Sequence, residues 1–231
     1  VIQGSGVNNG TIQISGNNTT GISIHGGGGY AGTFTNNSAI SSDAGKTGVT
    51  LVKINGSTAV GDKTGTLINT ADLTALGDNS TVIYVTNNGK ISNTGNITVN
   101  NGTGIKLEYS SLLAGDNKGT ITVNGSGIGI LAGASSYNGS ILVNDGTINL
   151  QSNGTGIYVA SGTAYMNGTN AENKGKINFN GTGGTGIYVT DVKTTFKNSA
   201  DLISDQRNVT GITVTKTATA SNNADITLTG D

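Results

Sequence analysis

The sequence predicts an all-β chain folded as a parallel β-helix, and three observations lead to that fold class. A unit of 24–33 residues recurs along all 231 residues, apolar and polar residues alternate in short stretches of each unit, and Gly, Asn, Thr and Ser fill the intervals. Units this short cannot close a core alone, so they must stack. We therefore expect about nine coils in a single segment over residues 1–231, right-handed because crossovers between parallel strands almost always have that hand.

An asparagine marks the first half of each unit, and an apolar residue follows four positions later. The asparagines are Asn8, Asn36, Asn69, Asn93, Asn117, Asn144, Asn173, Asn198 and Asn222. The apolar residues are Ile12, Ile40, Leu73, Ile97, Ile121, Ile148, Ile177, Leu202 and Ile226. In stacked coils the asparagines would form one column, where side-chain amides can hydrogen-bond along the stack. Alternatively, asparagine is used because it tolerates left-handed turn geometry. Both explanations are structural.

The second half of each unit predicts a short half-buried strand with an exposed residue between two apolar ones. The apolar pairs are Ile22/Ile24, Val49/Leu51, Ile83/Val85, Ile105/Leu107, Ile128/Ile130, Ile157/Val159, Ile187/Val189 and Ile212/Val214. The exposed residues between them are Ser23, Thr50, Tyr84, Lys106, Gly129, Tyr158, Tyr188 and Thr213. An ice-binding face needs a regular threonine array, and this column is too irregular to provide one.

Composition excludes several classes of function. Only 11% of the residues are charged, the net charge is −1 and Arg207 is the single arginine, so a nucleic-acid interface is not expected. The sequence contains no run of about 18–20 apolar residues, so we expect no membrane insertion in this segment. Cysteine is absent, which excludes disulfides and thiolate metal sites and suits a chain that crosses an oxidising periplasm unfolded.

The repeated phrases resemble the passenger regions of the large autotransporter adhesins of fusobacteria. They are Gly154-Thr-Gly-Ile-Tyr-Val159 and Asn117-Lys-Gly-Thr-Ile-Thr-Val123, in a chain without Cys or Pro. The resemblance implies type V secretion, display on the outer face of the cell or release from it, and attachment to a protein or glycan on host cells or other bacteria. It also implies that a membrane barrel lies elsewhere in a parent chain.

Catalysis is the alternative function, and it would depend on Asp201 and Asp225. These residues precede equivalent apolar residues in successive units, so their backbones should lie about 5 Å apart. Two carboxylates at that range can carry out retaining glycoside chemistry on a polysaccharide. No aromatic subsite accompanies them, and a solvated acidic pair is the simpler interpretation. His25 lacks partners at metal-ligand spacing and Gly26 to Gly29 lack a following Lys-Ser/Thr pair, so we expect a non-enzymatic chain without cofactor or metal.

Tyrosines are the best candidates for binding a partner. Tyr158 and Tyr188 occupy exposed positions of consecutive units, where their rings can stack, and exposed tyrosines often anchor recognition. An aromatic ladder that only stabilises neighbouring strands is the competing interpretation. Insertions at 51–67, 131–140 and 160–170 lie between equivalent strands and should share one edge of the stack. We expect Tyr109, Tyr137 and Tyr165 along that edge.

Overall fold

A computed structural model describes residues 1–57, 64–108, 115–133, 142–160, 171–190 and 195–230. Within these ranges every regular element is a β-strand. The strands form three parallel sheets, and the chain visits the sheets in the same order in each turn. The predicted all-β parallel solenoid is therefore confirmed, while the right hand and the number of nine coils stay predictions.

The first sheet, called here the asparagine sheet, has nine strands in the described ranges. They are Ser5–Asn8, Thr33–Asn36, Thr66–Asn69, Lys90–Asn93, Gly115–Asn117, Leu142–Asn144, Ala171–Asn173, Thr195–Asn198 and Thr219–Asn222. The second sheet also has nine there: Ile12–Ile14, Ile40–Ser42, Leu73–Ala75, Ile97–Asn100, Thr120–Asn124, Thr147–Leu150, Ile177–Phe179, Leu202–Ser204 and Ile226–Leu228.

The third sheet has eight strands in the same described ranges. They are Thr20–His25, Thr50–Asn55, Thr81–Thr86, Thr103–Glu108, Ile128–Ala132, Thr155–Ala160, Thr185–Thr190 and Thr210–Val214. In all three sheets each strand pairs in parallel with its equivalent in the next turn. Sequence repeats thus become columns of equivalent residues that run along the stack.

The core lies between the three sheets and consists of such columns. The nine apolar residues predicted after the asparagines occupy one column of the second sheet, and those from Ile40 to Leu202 are buried. Burying each Ile or Leu side chain contributes about 1.5–3 kcal/mol. Since no single turn encloses these side chains, they are buried only because turns stack.

The nine asparagines form a continuous amide ladder inside the asparagine sheet. Each side-chain Nδ2 donates to Oδ1 of the asparagine in the next turn, with eight bonds of 2.7–2.9 Å from Asn8 to Asn222. From Asn69 onward the second amide hydrogen is also used, because each Nδ2 donates to the backbone carbonyl two residues later. Burial of these polar groups is thereby compensated.

Turn geometry does not explain the ladder asparagines. Positive φ angles among the described asparagines occur at Asn18, Asn79, Asn87, Asn88, Asn101 and Asn208. None of the nine ladder asparagines is among them. The side-chain ladder therefore accounts for the repeat, and the left-handed alternative is wrong for this column.

Candidate functional site

The third sheet carries the exposed column that includes the predicted binding residues Tyr158 and Tyr188, and its register corrects two other positions of that column. The inward residues that pair along the sheet are Ile22, Val52, Ile83, Ile105, Ile130, Ile157, Ile187 and Ile212. The next residues form the outward column, called here the tyrosine column: Ser23, Lys53, Tyr84, Lys106, Leu131, Tyr158, Tyr188 and Thr213. Lys53 and Leu131 take the places predicted for Thr50 and Gly129.

Both errors occurred where the apolar residues of the sequence fit an alternating strand pattern in more than one register. The inward pairs are Val52/Ile54 rather than Val49/Leu51, and Ile130/Ala132 rather than Ile128/Ile130. Val49 and Leu51 are buried as well, so burial alone does not select the phase. Pairing with the neighbouring turns selects it.

Tyr158 and Tyr188 stack as predicted along the tyrosine column. Their ring centroids are 5.0 Å apart with an interplanar angle of 2°. The Tyr188 hydroxyl also lies 3.4 Å from Thr215 Oγ1. Because each ring covers one face of the other, a ligand reaches ring edges, hydroxyls and the outer ring faces. This geometry fits an aromatic ladder that stabilises neighbouring strands. It leaves less ring surface accessible to a ligand than two separate rings would offer.

Lys53, Tyr84 and Lys106 form a second group in the same column. The two ammonium nitrogens lie 5.4 and 5.3 Å from the Tyr84 ring centroid, within cation–π range. The Tyr84 hydroxyl donates to Glu108 Oε2 at 2.6 Å, and Lys106 Nζ lies 2.8 Å from Glu108 Oε1. Burial raises the Glu108 pKa, but the hydrogen bonds from Lys106 and Tyr84 outweigh burial, so the pKa is lowered.

A second outward column on the third sheet lies three residues before the tyrosine column, and sequence reasoning missed it. This threonine column consists of Thr20, Thr50, Thr81, Thr103, Ile128, Thr155, Thr185 and Thr210. The signal was present as the Thr of the Gly-Thr-Gly-Ile phrase. Because the neighbouring tyrosine column remains irregular, the two columns do not form a flat threonine array.

A groove runs beside these two columns, at the corner where the second sheet passes into the third. It encloses about 300 Å³ and is lined by Thr81, Thr103 and Ile128 of the threonine column and by Lys106 and Leu131 of the tyrosine column. Its opposite wall is the corner itself, including Asn79, Asn101 and Ser126. The groove thus joins hydroxyls, amides and two apolar side chains on one surface.

The residues of the predicted acidic pair immediately precede two consecutive strands of the second sheet, Leu202–Ser204 and Ile226–Leu228. The Asp225 backbone N–H donates to Asp201 Oδ1 at 3.0 Å. Asp201 lines a groove of about 400 Å³ together with Lys174 and Lys176, whereas Asp225 is not part of its lining. Two lysines therefore lie beside Asp201. The described lining includes no aromatic residue.

A charged cluster on the asparagine sheet was not predicted. Glu172 lies 2.9 Å from Lys197 Nζ and 3.6 Å from Lys174 Nζ, and it accepts a 2.7 Å hydrogen bond from Ser199 Oγ. The hydrogen bonds from Lys197 and Ser199 lower the Glu172 pKa to about 2. These groups satisfy one another, so the cluster is a structural feature that links two successive turns.

The remaining candidates have simpler environments or lie outside the described ranges. His25 Nε2 lies 2.9 Å from Ser23 Oγ. Gly27 and Tyr30 exchange two backbone hydrogen bonds of 3.0 and 3.1 Å, so the glycine run closes a defined turn. Tyr109, Tyr137 and Tyr165 lie outside the described residues. Among the residues that are described, no three His, Cys, Asp or Glu side chains form a metal-binding group.

Comparison with known proteins adds no relative. No protein-family model, curated protein or solved structure matches the chain. The described ranges also contain no helix with the length and apolar character of a membrane span.

Proposed function

We propose that the chain is a non-enzymatic shaft segment of an exported bacterial adhesin, which mediates or displays attachment to host cells or other bacteria. The amide ladder carries this proposal, since its eight bonds tie successive turns into one continuous stack. At about 4.8 Å per step the ladder spans about 38 Å. A stack held by contacts between neighbouring turns suits a spacer that holds a binding surface away from the membrane.

The outward side chains support a shaft more than a catalytic surface. Tyr84, Lys106 and Glu108 satisfy one another, as do Glu172 and Lys197. Such self-contained groups stabilise a surface without requiring a ligand. Resemblance to fusobacterial passenger regions and the lack of cysteine support export to the cell surface.

Two measurements test the proposal. Antibodies raised against the purified chain should label intact cells of the bacterium that encodes it. The purified chain should also bind saturably to members of a panel of bacterial and host cells, and Tyr158→Ser with Tyr188→Ser should weaken binding if these rings contribute contacts. Confinement of the protein to the cytoplasm would refute the proposal.

Polysaccharide cleavage remains the alternative, because Asp201 lies in a groove with two lysines. In that case Asp201 and Asp225 would act as the carboxylate pair on a sugar chain. Incubation with a panel of neutral and acidic polysaccharides should then release reducing ends, and Asp201→Asn should abolish the release. We expect no release from any of these polysaccharides.

A further inference from the structure

We infer that the groove between the corner and the tyrosine column binds a neutral oligosaccharide. This inference rests on the proposed adhesive function and names the ligand class of that surface. The volume of the groove, about 300 Å³, is at the lower end of the range for small-molecule sites. The groove therefore accommodates a short stretch of ligand and leaves the rest in solvent.

Hydroxyl groups in the groove are available to a ligand. Within the described part of the chain, the side chains of Thr81, Thr103 and Ser126 have no hydrogen-bond partner. Ser80 differs, since its Oγ accepts a 3.2 Å bond from the Val49 backbone N–H. A hydroxyl both donates and accepts, so a row of free hydroxyls is complementary to a ligand that does the same at each position. Sugars have this property.

The electrostatics favour a neutral sugar over an acidic one. Lys106 is the one charged residue in the described lining of the groove. Its ammonium is already 2.8 Å from the Glu108 carboxylate and 5.3 Å from the Tyr84 ring centroid. A carboxylate or sulfate on the ligand would have to compete with Glu108 for this cation, and it would lie near the Glu108 charge.

An apolar patch supplies the complementary contact. Ile128 replaces threonine at this one position of the threonine column, and Leu131 lies beside it in the tyrosine column. Leu131 is adjacent to Tyr158, whose ring face not covered by Tyr188 points toward the Leu131 turn. A pyranose ring has C–H groups on its faces and hydroxyls around its edge. The patch and the free hydroxyls match these two surfaces.

A glycan array tests the inference directly. The purified chain would be applied to immobilised neutral oligosaccharides of glucose, galactose, mannose and N-acetylhexosamines, and to sialylated and sulfated counterparts. We expect binding to a subset of the neutral set and weaker binding to the charged set. Ile128→Thr should weaken binding about tenfold or more, a loss of about 1.4 kcal/mol. This substitution installs the residue found at the other seven positions of the column, so the fold should persist.

Thr210→Val is the matched control, because Thr210 lies in the same column but outside the groove. It should bind like the unmodified chain. Three results would overturn the inference: binding of charged glycans alone, no binding to any glycan, or equal affinity of the Ile128→Thr variant and the unmodified chain. Cell binding by the same proteins separates the two proposals. Saturable cell binding that is insensitive to neutral glycans and to Ile128→Thr would refute the groove and leave adhesion standing.

Discussion

Replacing Asn117 by alanine should destabilise the protein severely. Asn117 accepts a 2.7 Å hydrogen bond from Asn93 and donates to Asn144 at 2.9 Å and to the Gly119 carbonyl at 3.1 Å. All three asparagine side chains are fully buried. Truncation leaves one Nδ2 hydrogen of Asn93 and the Oδ1 of Asn144 without partners, whereas the Gly119 carbonyl keeps a 3.3 Å hydrogen bond from the Thr147 backbone N–H. Each unpaired group costs about 1–3 kcal/mol, so we expect a loss of about 2–5 kcal/mol in the free energy of unfolding.

Urea denaturation followed by circular dichroism would measure this loss. Asn178→Ala is the matched control, because Asn178 also donates an amide bond to an asparagine of the neighbouring turn, at 2.9 Å, but faces outward and is half-buried. Water can replace that bond, so its loss should cost less than about 1 kcal/mol. Equal effects of the two substitutions would refute the argument that burial makes the ladder essential.

Three further predictions test the register, a corner and the charged cluster. Ile157→Asp should unfold the stack, because it buries an unpaired charge at a cost above about 4 kcal/mol. Tyr158→Ser should change the stability by about 1 kcal/mol or less, and thermal melts of both variants measure the difference. Gly125→Ala should lower the melting temperature more than Gly45→Ala does. Both glycines have positive φ, but only the Cβ added at Gly125 would collide with an asparagine side-chain oxygen. The Glu172 pKa of about 2 is below its ordinary 4.5, so its stabilisation is complete above about pH 4.5 and is lost as pH falls toward 2. Glu172→Gln should reduce this acid-induced loss in melts across that range.

The fold could be predicted because its determinants repeat. Each asparagine and the apolar residue four positions later share a role in every turn, so one pattern defines two columns. A buried amide column is recognisable from sequence, since few other arrangements require asparagine at that position in every unit. The repeat therefore predicted both the stacking and the residues that hold it together.

The outward surface could be predicted only in part. Val49 and Val52 both lie in an apolar run, and the register chooses Val52 because it pairs with Ile22 and Ile83. Aligning the full Gly-Thr-Gly-Ile phrase with Gly127-Ile-Gly-Ile130 would have corrected the other shift. The groove depends on side chains from several turns and on a sheet corner, and no short sequence pattern encodes that combination.

Binding of the purified chain to a panel of bacterial and host cells is the most direct test of the adhesin proposal. A β-rich circular dichroism spectrum would first establish that the chain is folded. The proposal predicts saturable binding to at least one cell type. A folded chain that binds none of these cells and is inaccessible to antibody on intact cells would contradict it.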